Sequence, residues 1–271
     1  MDRQHKGIAL VTGASSGIGR VTAQALAHAG FRVFGTSRKA VDDPSPGITM
    51  LACDVTDEAS VKRLVEEIVR QAGRIDVVVN NAGIGLLGGA EESSIGQAQR
   101  LFDVNVFGVA RVVNAVLPLM RAQKSGRIVN MGSLLGLIPS PFNAFYSSTK
   151  HAIEGYSESL DHEVRQFGIR VVVVEPGITR TSFEENLTRA DQPLAPYAEG
   201  RERSEKLMRE WVAGGDAPQI VADVVVKAAT DAKPRLRYSA GKQSTQVRSL
   251  RRFLPERIVD RVLRKFNGFP A

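Results

Sequence analysis

The stretch that most constrains this fold is Thr12-Gly13-Ala14-Ser15-Ser16-Gly17-Ile18-Gly19. It lies between an apolar run at 7–12 and a helical pattern ending near His28. Glycines serve where a backbone must turn tightly and approach a phosphate closely. The helix that follows offers unpaired N–H groups and the positive end of its dipole. A glycine-rich stretch is common by itself, but a strand before it and a helix after it make it the opening of a βαβ unit. The alternation continues along the chain. Runs at 31–37, 48–53, 75–79, 127–131, 169–175 and 235–239 read as short strands. Between them, helical spacing covers 56–72, 95–123, 145–168 and 216–231. In the second of these, Asn105 sits mid-helix, where an amide is mildly unfavourable. Strands alternating with helices predict a doubly wound, Rossmann-like α/β fold: a mostly parallel seven-stranded sheet with helices on both faces.

The strand ends carry candidate ligand contacts. The second strand ends in Ser37-Arg38, where dinucleotide folds often place an acid on the ribose 2′-hydroxyl. An acid repels a 2′-phosphate, whereas an arginine pairs with it, so NADP(H) is expected over NAD(H). Arg38 also suits a plain solvated loop. Asp54-Val55 follows the third strand at a place suited to an adenine. Asn80-Asn81-Ala82-Gly83 can line a groove and tie strand to strand. Pro176-Gly177-Ile178-Thr179-Arg180-Thr181 breaks the sixth strand so that backbone and hydroxyls face a ligand.

Residues 133–150, SLLGLIPSPFNAFYSSTK, hold the chemistry. Tyr146 and Lys150 are four apart, hence on one face if the segment is helical. A phenol titrates near ~10; a neighbouring ammonium is expected to lower that value. Ser133 can hydrogen-bond the same substrate oxygen. Taken alone, Tyr-x-x-x-Lys is more often an exposed pair on a helix.

In order and spacing these motifs (TGASSGIG, DV, NNAG, Asn105, Ser133, YSSTK, PGITRT) resemble the short-chain dehydrogenase/reductase family over residues 6–240. The resemblance implies a catalytic tetrad of Asn105, Ser133, Tyr146 and Lys150. It further implies cofactor contacts from Gly13, Ser15, Ser16, Gly17, Ile18, Gly19, Ser37, Arg38, Asp54, Val55, Asn81, Ala82 and Gly83. Tyr146, Lys150, Pro176, Gly177, Ile178, Thr179 and Thr181 complete the set. Asn105 would hold a water linking Lys150 to solvent. One departure is Gly132, where family members often carry a second serine. FRVFGTSRK and AFYSSTKHAIEGYSESLDHEV look similar to 17β-hydroxysteroid and retinol dehydrogenases, which implies a steroid-, retinoid- or lipid-like carbonyl or alcohol. The alternatives are a 3-oxoacyl thioester reductase and a non-catalytic NADP(H)-binding sensor or scaffold. The family's usual assembly surface implies a homodimer or homotetramer.

Residues 178–214 form a long insertion expected to act as a substrate lid. Within it Met208 and Trp211 share an apolar helical face. Leu134, Phe142 and Phe145 would add substrate wall near Ser133; the same apolar face could instead pack on the body without touching substrate.

Charge separates body from tail. From Lys233 onward there are eleven Lys and Arg against Glu256 and Asp260, so the excess there is +9 of a net +7. Residues 241–271 therefore read as a basic, amphipathic extension, with Pro255 starting its second helix. Its apolar stripe can roof the pocket, meet another subunit or lie on an anionic membrane. Nucleic acid is not expected, because no stacking aromatics interleave with the arginines. The single cysteine, Cys53, excludes a disulfide framework and a cysteine metal site, and a cytoplasmic setting with peripheral membrane contact is the expectation. No metal is expected. No leader pattern is read at the start, and no apolar run is expected to reach the ~18 residues of a membrane helix.

Overall fold

The structure, a computed structural model, describes residues 5–39, 45–181, 183 and 187–268. Residues 1–4 and 40–44 lie outside them. Seven strands form one sheet: β1 (Ile8–Val11), β2 (Arg32–Ser37), β3 (Ile48–Ala52), β4 (Val77–Asn80), β6 (Gly126–Met131), β7 (Ile169–Pro176) and β9 (Arg237–Ala240). The order is β3-β2-β1-β4-β6-β7-β9. Every neighbouring pair is parallel, so the sheet is wholly rather than mostly parallel.

A parallel sheet must be covered on both faces, and its strands are apolar on both. Along β1, Leu10 enters one core while Ala9 and Val11 enter the other. The first core lies under α2 (Glu58–Ala72), α4 (Gly108–Gln123) and α5 (Ala144–Val164), with Leu64, Ile68, Val112, Val116 and Ile153 buried. The second lies under α1 (Gly17–His28) and α7 (Pro218–Thr230), with Leu26, Val221 and Val225. Each fully buried aliphatic side chain contributes about 1.5–3 kcal/mol. Asp57 caps α2 by accepting from Ala59 N at 2.9 Å, and Gly73 ends it in the left-handed region at φ 71°.

The expected helix over 95–123 is interrupted. α3 (Ile95–Phe102) passes into a π-turn at Asp103–Phe107 before α4 resumes. As a whole this run is long and apolar enough to cross a membrane by composition, contrary to the sequence expectation. Here Val109, Val112, Val113, Val116 and Met120 are buried in the protein core. The 84–94 loop contains a two-residue strand, β5 (Leu86–Leu87). It pairs in parallel with β8 (Thr188–Arg189) and fastens the insertion to the body. The insertion then forms α6 (Ala198–Ala213). After β9 come α8 (Lys242–Phe253) and α9 (Glu256–Phe266).

Candidate active site

The strand order reverses between β1 and β4, which is where open α/β sheets bind ligands at their carboxyl ends. There the loop after β1 and the loop after β4 are locked together. Thr12 Oγ1 accepts from the backbone N–H of both Asn81 and Ala82 at 3.0 Å. Asn81 Nδ2 donates to Thr12 O at 3.0 Å and Gly13 O at 3.1 Å. A Cβ on Gly13, which sits at φ 66°, would lie 2.9 Å from the Ala82 Cα, so this approach requires glycine. Ser16 is the N-cap of α1, but its side chain does not cap the helix. The first-turn N–H groups of α1 therefore lack that acceptor, and Ser15, Ser16, Gly17, Ile18 and Gly19 form a cradle suited to an anion. Thr181 closes over it, within 3.7 Å of a Cβ placed on Gly17.

The remaining cofactor candidates surround the same groove. Val55 is buried, and Asp54 Oδ1 accepts from Thr56 N at 2.9 Å and Thr56 Oγ1 at 2.7 Å. Those bonds, with Arg38 and Arg111 nearby, hold the Asp54 carboxyl below its ordinary range. Arg38 is exposed, and Ser37 Oγ donates to the Lys39 carbonyl. Pro176 ends β7; Gly177 N donates to Ala240 O at 2.9 Å and Thr179 Oγ1 to Gly177 O at 3.1 Å. Ile178 N donates to Gln243 Oε1 at 3.3 Å, which ties this loop to α8. Glycine approach, orphan helix donors and a basic residue at the end of β2 together fit a nicotinamide dinucleotide.

The catalytic candidates converge beside this groove. Tyr146 and Lys150 share a face of α5, and the Lys150 ammonium nitrogen is 5.7 Å from the Tyr146 ring centroid. Ser133, two residues past the end of β6, accepts from Leu135 N at 3.1 Å and lies near enough to the Tyr146 phenol to favour its ionised form. Part of the Tyr146 ring remains accessible, yet the burial of its hydroxyl pushes the phenol up to about 12. Lys150 is buried, donates to Met131 O at 2.9 Å, and is pushed down to about 8 by burial, opposed by Glu154. The lowering expected from Lys150 is not what sets the Tyr146 value: burial, which penalises the phenolate, is the largest cause, and Ser133 opposes it. Tyr146 stands as an acid.

Asn105 lies in the π-turn and is buried. Its Oδ1 accepts from Ile84 N, and its Nδ2 donates to Ile84 O, both at 2.9 Å. The Nδ2 also reaches Thr149 Oγ1 at 3.3 Å. These bonds tie the loop after β4 to α5. An extra residue in a helical turn re-aims one side chain, a device common at functional sites.

The substrate candidates divide. Leu134 is buried beside Ser133. Phe142 takes φ 60° and meets Tyr197 edge-on at 6.5 Å, beneath the start of α6. Met208 is half-buried on α6, while Trp211 stacks on Phe266 of the tail at 4.5 Å. Phe145 points elsewhere: it shares an open groove of about 600 Å³ with Ile95, Phe102 and Phe107 on the outer face of α3 and α5. The turn from Phe145 to Tyr146 is about 100°, so the two cannot face one pocket.

Sequence reasoning missed two participants. Phe183 packs on Tyr146 at 5.9 Å; it is the first aromatic after PGITRT, which is the signal that could have found it. Glu154 lies one turn beyond Lys150. It is buried and pushed up to about 7 by burial and by Glu175, while Arg237 opposes the rise. Its position at i+8 from Tyr146 on one helix face was visible in the spacing.

The fold and site define an oxidoreductase that works with a nicotinamide dinucleotide. The family model described as short chain dehydrogenase matches residues 7–192, and the chain belongs to that family. A 3-ketodihydrosphingosine reductase of Bacteroides thetaiotaomicron is 38% identical, over 86% of this chain and 87% of its own. Retinol dehydrogenase 8 of Bos taurus is 36% identical, over 91% and 85%. Among solved structures, a short-chain dehydrogenase from Streptomyces avermitilis superposes with TM-score 0.80 at 33% identity, over 97% and 95%. A Burkholderia phymatum member in complex with NAD gives 0.79 at 26%, over 92% and 94%. ElxO with NADP bound gives 0.75 at 26%, over 89% and 99%.

Proposed function

We propose that this chain is an NADP(H)-dependent oxidoreductase that interconverts a carbonyl and an alcohol on an apolar, lipid-like substrate. The observation that carries the reaction is the convergence of Ser133 and Lys150 on the Tyr146 phenol, with Lys150 one turn away on the same helix. The phenol keeps its proton well above neutral pH and so can donate it to a substrate oxygen, while Ser133 holds that oxygen. Bound nicotinamide supplies or accepts hydride at the substrate carbon. Lys150, on α5 and bonded to the last residue of β6, would hold the ribose hydroxyls. Gly13 to Gly19 would hold the pyrophosphate, and Ser37 and Arg38 the 2′-phosphate. Phe183 packed on Tyr146 and Leu134 buried beside Ser133 support the substrate class, as do the named substrates of the two relatives. We extend the proposal to the insertion as a lid and to a homo-oligomer through the exposed Ile95 and Phe107 face of α3 and the π-turn.

Tyr146→Phe should lower turnover by about 10²–10⁴-fold and leave dinucleotide affinity nearly unchanged; retained turnover would remove Tyr146 from the chemistry. Fluorescence titration of wild type and Arg38→Ala with NADPH and NADH tests the cofactor. NADPH preference that collapses in the variant is expected, and equal affinity for both overturns it.

A further inference from the structure

The last two helices present a surface that catalysis does not use. In α9, Ile258, Val259, Val262, Leu263 and Phe266 form one apolar arc at 100° per residue. One edge of the arc is docked. Val259 is buried, Phe266 stacks on Trp211 of the lid helix α6, and Asn267 accepts from Ser140 Oγ at 3.0 Å. The other edge faces solvent: Ile258 is 44% and Val262 42% exposed. Leu254 at 40% and Phe253 at 75% continue the row across the α8–α9 junction. Of the large apolar side chains exposed among the described residues, these four and Phe266 fall within fourteen consecutive positions. Exposed Arg251, Arg252, Arg257, Arg261 and Lys265 border the row.

We propose that the α8–α9 hairpin docks this chain on an anionic lipid surface. Such a surface satisfies both halves of the pattern: the apolar row enters the headgroup boundary and the basic border meets lipid charge. A second copy fits poorly, because an isologous contact sets the same patch on both subunits. Two basic borders would then face each other with only Glu256 and Asp260 in this pair of helices to offset them. The docked edge of α9 grips α6, so the lipid would lie against the roof of the site. That consequence for substrate entry rests on the apolar-substrate reading; the docking does not.

The test is sedimentation of the full chain with vesicles of phosphatidylcholine, with or without phosphatidylserine, at low and high salt. Wild type should pellet with the anionic vesicles only, and salt should release it. Ile258→Asp with Val262→Asp should abolish pelleting. Arg261→Gln with Lys265→Gln, which leaves the apolar row intact, should weaken it about thirtyfold. Absence of wild-type pelleting at low salt overturns the proposal, as does pelleting that both variants retain. Light scattering without vesicles adds a third outcome: if the aspartate pair halves the particle mass, the face joins two copies and the proposal falls. Turnover of a water-soluble ketone should be equal in wild type and variants. No turnover in any of them, with vesicle binding intact, would count against the catalytic reading alone.

Discussion

At the residue scale the site is a set of titratable groups arranged along one helix face: Tyr146, Lys150 and Glu154. Glu154 raises the Lys150 value that burial depresses. Around Glu154 stand Glu175 from β7, Arg237 from β9 and Arg248 from α8. Arg237 Nε donates to Glu154 Oε2 at 2.8 Å and Arg248 pairs with Glu175 at 3.4 Å. Glu154→Gln removes one negative charge beside Lys150, so the Lys150 ammonium loses its proton below pH 8. The alkaline limb of the kcat/KM profile should move to lower pH; an unmoved limb would separate Glu154 from catalysis. The same pair governs stability. The folded Glu154 value is about 7 against an ordinary 4.5. Between those values the folded state binds more protons than the unfolded, so stability falls as pH rises through that window. A series of melting temperatures from pH 4.5 to 7.5 should show this fall, flattened in Glu154→Gln. Gly132 belongs to the same cluster. A Cβ there would lie 2.7 Å from Val173 Cγ1 and 2.9 Å from Glu154 Oε1, so the space for the second serine is taken by these side chains. The pairing of Tyr146 with Lys150 was readable because helical periodicity fixes which residues share a face, while Ser133 was read from its place in the motif order. The rise in the Tyr146 value was not, since a sequence shows neighbours along the chain but not the depth of burial.

At the element scale the insertion is held by one buried carboxylate. Glu92, fully buried, accepts from Gly89 N and Leu194 N at 2.8 Å and from Arg201 of α6. Despite burial these donors hold it below the ordinary carboxylate range. Ser94 Oγ donates to Asp191 Oδ2 at 2.6 Å, and Gln97 Nε2 to Arg189 O at 2.7 Å, alongside the β5–β8 pair. Glu92→Gln should cost roughly 2–3 kcal/mol, discounted because Arg201 is partly exposed. Proteolysis should then cut first between 187 and 214; unchanged cleavage there would show that Glu92 does not hold the insertion. The strands and most helices were legible in the periodicity, to within a few residues. The β5–β8 clasp was not, because two-residue strands carry no period and their partners lie about a hundred residues apart. The π-turn was equally hidden: its five residues differ from an α-helical turn only in backbone hydrogen bonding.

At the scale of the whole molecule two apolar faces stand out among the described residues: the face of α3 and the π-turn with Ile95, Phe107 and the Phe145 groove, and the tail row. They call for different partners. Phe107→Asp should reduce the oligomer mass in light scattering and spare vesicle binding, whereas the tail variants should do the reverse. If Phe107→Asp leaves the mass unchanged, that face is not the assembly surface. The net charge alone would have suggested a basic protein; its confinement to the last forty residues is what separates a neutral catalytic body from a basic appendage. The sheet's connectivity carries a consequence for how the chain acquires its form. β7 pairs with β9 through Val173 and Arg237, 64 positions apart, and the whole insertion lies in the loop they close. Closing a loop of that length is entropically costly and slows folding. The seam between β6 and β7, already flanked by the Tyr146 helix, can form first. During synthesis Ser133, Tyr146 and Lys150 therefore emerge before the insertion, and the nascent chain passes through a stage with an open sheet edge at β7.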